Sequence, residues 1–271
     1  MPIPLLPIFT TVFGLGPITR NIIKQKEAND TVKEAQVRHQ KNIARLEGKK
    51  ASTTSIIEQL DNTKSQITDS FIVFSNIFEK IKNRPKFNIS KISKLTIPEF
   101  NIDELNSFSF DNIGLTIGRN IALTFIAGGI VSGLINYKLS KKASDQANEI
   151  WDQMLEAERQ IDIICDYLDQ LYQVISQFDQ TFSQVNSLYQ SYIEQLKYIV
   201  NIRDKVDWNT FTKREKLTVE NTVLLVALLF DMCKVQLVSQ AKDKNSLNII
   251  NETDVTHSIE KATTVIAKLS D

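Results

Sequence analysis

Glycine and proline are scarce in this chain of 271 residues, at eight and six. That argues against a sheet-rich fold with many turns, while the abundance of Ile, Asn, Lys, Gln and Ser suits helices. There are two cysteines, Cys165 and Cys233, far apart on different predicted helices. No disulfide framework follows from them, and they read as two buried apolar thiols. Net charge is also missing: 32 basic residues balance 32 acidic ones. No global field therefore draws the chain to nucleic acid or repels it from lipid.

Motifs of catalysis are missing too. The sequence has no phosphate-cradling Gly-Lys-Thr loop, no Gly-x-Gly-x-x-Gly after a strand and no His-Glu-x-x-His. Its two histidines are His39 and His257, and His39 falls on a helical seam, where a polar core residue is the ordinary reading. The acidic row Glu158, Asp162, Asp166, Asp169 shares one helical face. Di-metal bundles need Glu-x-x-His pairs from facing helices, so the row reads as a solvated face or as the partner of a basic helix. Aromatics do not interleave with a basic stripe as single-strand nucleic-acid binding requires. The expectation is a protein that is not an enzyme, with no cofactor, no metal, no small-molecule substrate and no nucleic-acid partner.

What the chain does have is a long seam. From Ala143 to Ile199 apolar residues recur in steps of four and three, through Ile150, Met154, Ile161, Leu168, Ile175, Phe182, Tyr189 and Leu196. A seam repeating every 3.5 residues is the mark of a coiled-coil helix. With no Pro or Gly inside it, the predicted rod runs from Lys138 to Asp204, roughly 100 Å at about 1.5 Å per residue. A second rod is predicted over Ile18–Asn83. Its seam passes through Ala35, His39, Asn42, Leu46, Lys49 and Thr53 to Ile67, Phe74, Ile77 and Ile81. The first half is polar and the second apolar. Two rods of similar length on either side of a chain reversal suggest an antiparallel hairpin.

Charge joins them as well. Arg20, Lys24, Lys33, Arg38, Lys41, Arg45, Lys49 and Lys50 make the first rod basic, whereas Asp152, Glu156, Glu158, Asp162, Asp166 and Asp169 make the second acidic. Antiparallel pairing, however, sets the basic end of one rod beside the less acidic end of the other. That mismatch calls for a further helix.

Beyond the second rod, Trp208 and Phe211 mark a corner. Thr212 and Glu215 stand at capping-box spacing for a helix over Lys213–Ala241, with an all-apolar centre at Val223–Phe230. A polar connection, Asp243–Asn251, leads to an amphipathic helix over Thr253–Leu269. The N-terminus, residues 1–17, is an uncharged arm carrying Pro2, Pro4, Pro7 and Pro17. It lacks the basic n-region of a secretory signal and reads as an arm laid on the bundle or touching a membrane. The fold class expected is all-α: an elongated antiparallel bundle of two long and two shorter helices, body 18–83 and 138–271, with a head at 84–137.

The head carries the functional signal. Pro85 and Pro98, with apolar residues at extended spacing, give residues 86–110 some extended chain. Ile113–Ile135 is then apolar except for Arg119, Asn120 and a few hydroxyls, with two Gly-x-x-x-Gly pairs, Gly114/Gly118 and Gly129/Gly133. That spacing lets helix backbones approach closely in lipid. The membrane-inserting residues read from it are Ile113, Gly114, Gly118, Ile121, Leu123, Phe125, Ile126, Gly128, Gly129, Ile130, Val131, Gly133, Leu134 and Ile135. Basic residues flank the head, and Lys80, Lys82, Arg84, Lys86, Lys138, Lys141 and Lys142 read as contacts to anionic lipid headgroups. The bland alternative is a buried helix of a soluble bundle.

The order long rod, apolar head, long rod, shorter helices resembles the α-helical pore-forming toxins of the cytolysin A and tripartite enterotoxin type. The resemblance rests on the two seams and on Ile113–Ile135. It implies a soluble form that releases its head into a membrane and oligomerises through its rods, with a homo-oligomer or a related helical subunit as partner. The expected function is a membrane-interacting, pore-forming or membrane-remodelling factor. The alternative is a structural or adaptor coiled coil that mediates oligomerisation or partner docking. Without a cleavable signal, the soluble form is expected in the cytoplasm or exported by a non-classical route, and at a membrane when active.

Overall fold

The computed structural model describes residues 22–89, 97, 100–107, 143–239, 241 and 247–270. The N-terminal arm and most of the head lie outside them. The fold is an all-α bundle built on two long helices, α1 (Ile22–Phe78) and α3 (Ala143–Lys197). A short α2 (Ile102–Asn106) lies between them in sequence; α4 (Lys213–Cys233) and α5 (Glu252–Ser270) follow. Both seams are buried as their periodicity predicts. Leu60, Ile67 and Phe74 of α1 and Leu171, Phe178, Phe182 and Tyr189 of α3 have no exposed surface.

The two rods run parallel, not antiparallel as expected. Arg38 reaches Glu158, Thr53 reaches the Leu168 carbonyl, Gln59 reaches Asp179 and Lys80 reaches Asn201. Those partners lie 115 to 121 residues downstream at every level. An antiparallel pair would keep the sum of the two numbers constant instead. A short parallel bridge between Lys82 and Asp207 continues the same direction past the helix ends. Electrostatics favours this arrangement, because parallel pairing lays the basic half of α1 along the acidic half of α3. The mismatch that antiparallel pairing created is gone. Arg38–Glu158 at 2.7 Å, Arg45–Asp162, and Lys49–Asp169 at 2.6 Å bridge the two rods on one side of the seam. The acidic row thus serves the basic helix.

Parallel rods change what the connection between them does. It must return from the end of α1 to the start of α3 at the other extremity, about 85 Å away for 57 helical residues. Its described part begins that return by folding onto the bundle. Phe87 packs against Phe78 and Trp208, Phe100 against Phe74 and Phe230, and Lys234 pairs with Glu104 at 2.6 Å. Inside this stretch Asn101 caps α2, accepting from the Glu104 backbone N–H.

α4 starts where expected, with both bonds of the capping box made by Thr212 and Glu215. Val223–Phe230 is buried all round, each large apolar side chain contributing about 1.5–3 kcal/mol. The helix stops at Cys233, eight residues before the predicted end. Val238–Ser239 (β1) pairs instead with Ile249–Ile250 (β2) in a small antiparallel hairpin, pinned by Asn251 on Gln236 and Ser239. The polar connection is therefore partly strand. α5 buries Val255, Ser258, Ala262 and Val265 and ties to α4 through Lys261 and Asp231.

The molecule consequently has two unlike halves. Toward the C-terminal ends of the rods α2, α4 and α5 pack against them, and a chain of rings runs Phe71, Phe230, Phe100, Phe74, Phe78, Phe87, Trp208, Phe211. This half is the cap. Before it, among the described residues, α1 and α3 form a stalk whose α1 seam carries His39, Asn42, Lys49 and Thr53.

Candidate membrane-facing site

Ile113–Ile135, with every membrane-inserting residue named above, and Lys138, Lys141 and Lys142 lie outside the described residues. The other predicted headgroup contacts, Lys80, Lys82, Arg84 and Lys86, lie together at the cap end of the rods, just past α1. Ala143 starts α3 at the opposite extremity of the rods from Lys80–Lys86.

At the cap end the chain turns through Asn83, in the left-handed region at φ 57°, a conformation Asn tolerates better than most residues. Lys82 donates its backbone N–H to the Val206 carbonyl at 2.7 Å and accepts from Trp208 N–H at 3.0 Å. Two stretches 124 residues apart in sequence are thereby stitched side by side. Asn83 Nδ2 donates to Asp207. Hydrogen bonds from the Asn209 backbone and from Asn83, with the Lys82 charge nearby, hold the Asp207 carboxyl below its ordinary range. Lys80 donates to Asn201 at 2.9 Å, while Arg84 donates to the Ile81 carbonyl and lies 4.7 Å over the Phe78 ring.

A second basic group meets the first here. Arg203 and Lys205 both bind the buried Glu215 carboxylate at 2.8 Å. Burial alone would raise the pKa of Glu215, but the Lys205 and Thr212 hydrogen bonds outweigh it and lower it. Lys216 sits 5.4 Å over the Trp208 ring. Lys213 and Arg214 are exposed beside it. The sequence reading did not connect these residues with Lys80–Lys86, since periodicity carries no information across that separation. Trp208 and Phe211, read as a corner, were the available signal.

Among the described residues no group of three or more His, Cys, Asp and Glu side chains is placed to hold a metal ion. No described helix is long and apolar enough to cross a membrane. His39 sits half-buried on the seam, its pKa lowered by burial. Cys165 and Cys233 are buried free thiols, and burial pushes Cys233 up to about 12. Comparison with protein-family models, curated proteins and solved structures gives no match.

Proposed function

We propose that this chain is a membrane-interacting helical protein that brings its apolar, glycine-containing segment Ile113–Ile135 to a bilayer, as a pore-forming or membrane-remodelling factor. The observation that carries the reading is compositional. A run of 23 residues with one formal charge, Arg119, sits in a chain where charged residues make up 24% of the whole. One feature of the body supports it. Among the described residues, the ring cluster of the cap is built from residues before 101 and after 207, on either side of that run in sequence.

Detachment of the segment and its transfer to lipid would form a two-state system, driven by about 25 cal/mol per Å² of apolar surface gained. The test is release of a trapped dye from anionic vesicles by the full chain, compared with Gly129→Leu/Gly133→Leu. The reading predicts release by the parent and loss of release in the variant, with an unchanged melting temperature. A parent that neither binds nor permeabilises vesicles contradicts it.

A second reading, as an oligomerising or partner-docking coiled coil, is favoured by the stalk. Among the described residues there, Val37, Leu155 and Ile163 are between 40 and 55% exposed. Sedimentation of the full chain over a concentration series tests that reading.

A further inference from the structure

We infer that the cap end of the bundle is a docking face for an anionic phospholipid surface, so that the molecule stands end-on with its stalk pointing away. This rests on the membrane reading above, extends the headgroup contacts expected of Lys80–Lys86 to residues 198–217, and uses no residue of the apolar segment. The charge is uneven in a chain that balances overall. Residues 79–86 and 203–216, stitched together at this end, carry nine basic and four acidic residues. Of those acids, Glu215 is buried and held by two cations, and Asp207 is held by its hydrogen bonds. Lys82, Lys86, Lys213 and Arg214 stay exposed.

Apolar side chains stand among these cations. Tyr198 and Ile202 lie one turn apart on the π-helical end of α3 and are 56% and 73% exposed; Leu217, on the second turn of α4, is 54% exposed. Ile202 is the most exposed large apolar residue among those described. Lys80 donates to Asn201 and Arg203 follows Ile202 directly, which sets the apolar and basic groups within one turn of each other. Cations ringing apolar tips are the combination that an anionic interface rewards, through headgroup attraction and shallow burial.

The other occupants fit less well. A second copy would offer the same basic end, and Glu158, Asp162 and Asp169 of the stalk are already held by Arg38, Arg45 and Lys49. Nucleic acid would want a row of exposed rings as stacking platforms, whereas two of the three exposed tips here, Ile202 and Leu217, are aliphatic and Tyr198 is the single ring among them.

Flotation of the full chain with phosphatidylcholine vesicles holding about three parts in ten of phosphatidylserine tests the inference. Four proteins are compared: the parent; the end variant Lys86→Glu/Lys213→Glu/Arg214→Glu; a stalk variant with as many reversals, Lys33→Glu/Lys41→Glu/Lys50→Glu; and an apolar-tip variant, Tyr198→Ser/Ile202→Ser. All six reversed positions lie on helix surfaces or exposed loop, and thermal melts check folding. The expected result is salt-sensitive partitioning of the parent, weakened about 100-fold in the end variant and within about twofold in the stalk variant. Tyr198→Ser/Ile202→Ser should weaken it about tenfold and leave the salt dependence unchanged. Equal losses in end and stalk variants, an unaffected end variant, or a parent that binds a DNA duplex and no vesicle would each overturn the inference. Its fate separates from that of the insertion reading. End-dependent flotation without dye release retains the docking face and removes insertion; dye release that survives the end variant does the reverse.

Discussion

The stalk and the cap use the same heptad seam on α3 and reach different kinds of order. In the cap, Ile67, Phe74 and Ile77 on α1 and Ile81 just past it join the core with an apolar α3, while Phe71 meets Phe230 of α4 and Phe78 meets Phe87 beside Trp208. In the stalk α1 contributes His39, Asn42, Lys49 and Thr53 to the seam, and ion pairs flank it. Burial stabilises the cap; the stalk is specified more by polarity and charge than by apolar area. The lesson is that one long helix can be rigidly placed at one end and merely guided at the other.

The largest effect should come from the cap. Phe74 is fully buried, stacked on Phe78 at 5.0 Å and edge-on to Phe100. Phe74→Ala should cost about 3–5 kcal/mol in urea unfolding. A loss below about 1 kcal/mol would erase the contrast with the stalk.

Lys64 sharpens it next. The side chain is fully buried, with Nζ 3.5 Å from the Cys233 carbonyl and 5.6 Å from the Phe178 ring centre, and burial lowers its pKa to about 8. The unfolded chain binds this proton up to about pH 10.5, so between about 8 and 10.5 the unfolded state holds more protons and stability rises with pH. Below about 8 the cost of burying the charge is fully present. Lys64→Met should therefore stabilise the protein at pH 7 by about 1–3 kcal/mol. It should also remove the relative gain that the parent shows between pH 8 and 10 in parallel denaturation series.

The stalk should respond less. Glu158→Lys/Asp162→Lys/Asp169→Lys replaces three partly exposed partners, each pair worth about 0–1 kcal/mol. Amide exchange should quicken in residues 30–52 and 150–170, with exchange in α4 unchanged. Salt should produce a weaker version of the same change in the parent. Smallest of all, Asn42 is buried on the seam with no hydrogen-bond partner for Nδ2. Asn42→Leu should stabilise the stalk by about 1 kcal/mol while loosening its register, seen as broadened interhelix distance distributions.

Much of this fold was written in the sequence, and the part that was not has a physical reason. Seams, the Thr212–Glu215 capping box and the buried centre of α4 are local patterns of 3.5 or 3.6 residues, and each is where the pattern puts it. Direction is not local. An a/d seam reads the same for parallel and antiparallel partners, and a short-hairpin expectation turned two equal rods into an antiparallel pair. The signal that could have decided it was the charge: the basic half of α1 and the acidic half of α3 are each the first half of their helix, which fits only parallel pairing. Of the candidate site, Lys80–Lys86 was legible as a basic cluster. Its union with Arg203–Lys216 was not, because the Lys82–Val206 and Trp208–Lys82 backbone bonds that bring them together have no side-chain signature.

Parallel pairing is the claim everything else leans on, and distances between spin labels on exposed positions of the two rods test it most directly. Labels at Gln40 and Asp152 should lie within about 25 Å of each other, and labels at Gln40 and Gln190 about 50 Å apart, given 1.5 Å of rise per residue. The reverse ordering, with Gln40 near Gln190 and far from Asp152, would mean an antiparallel hairpin and would contradict the account.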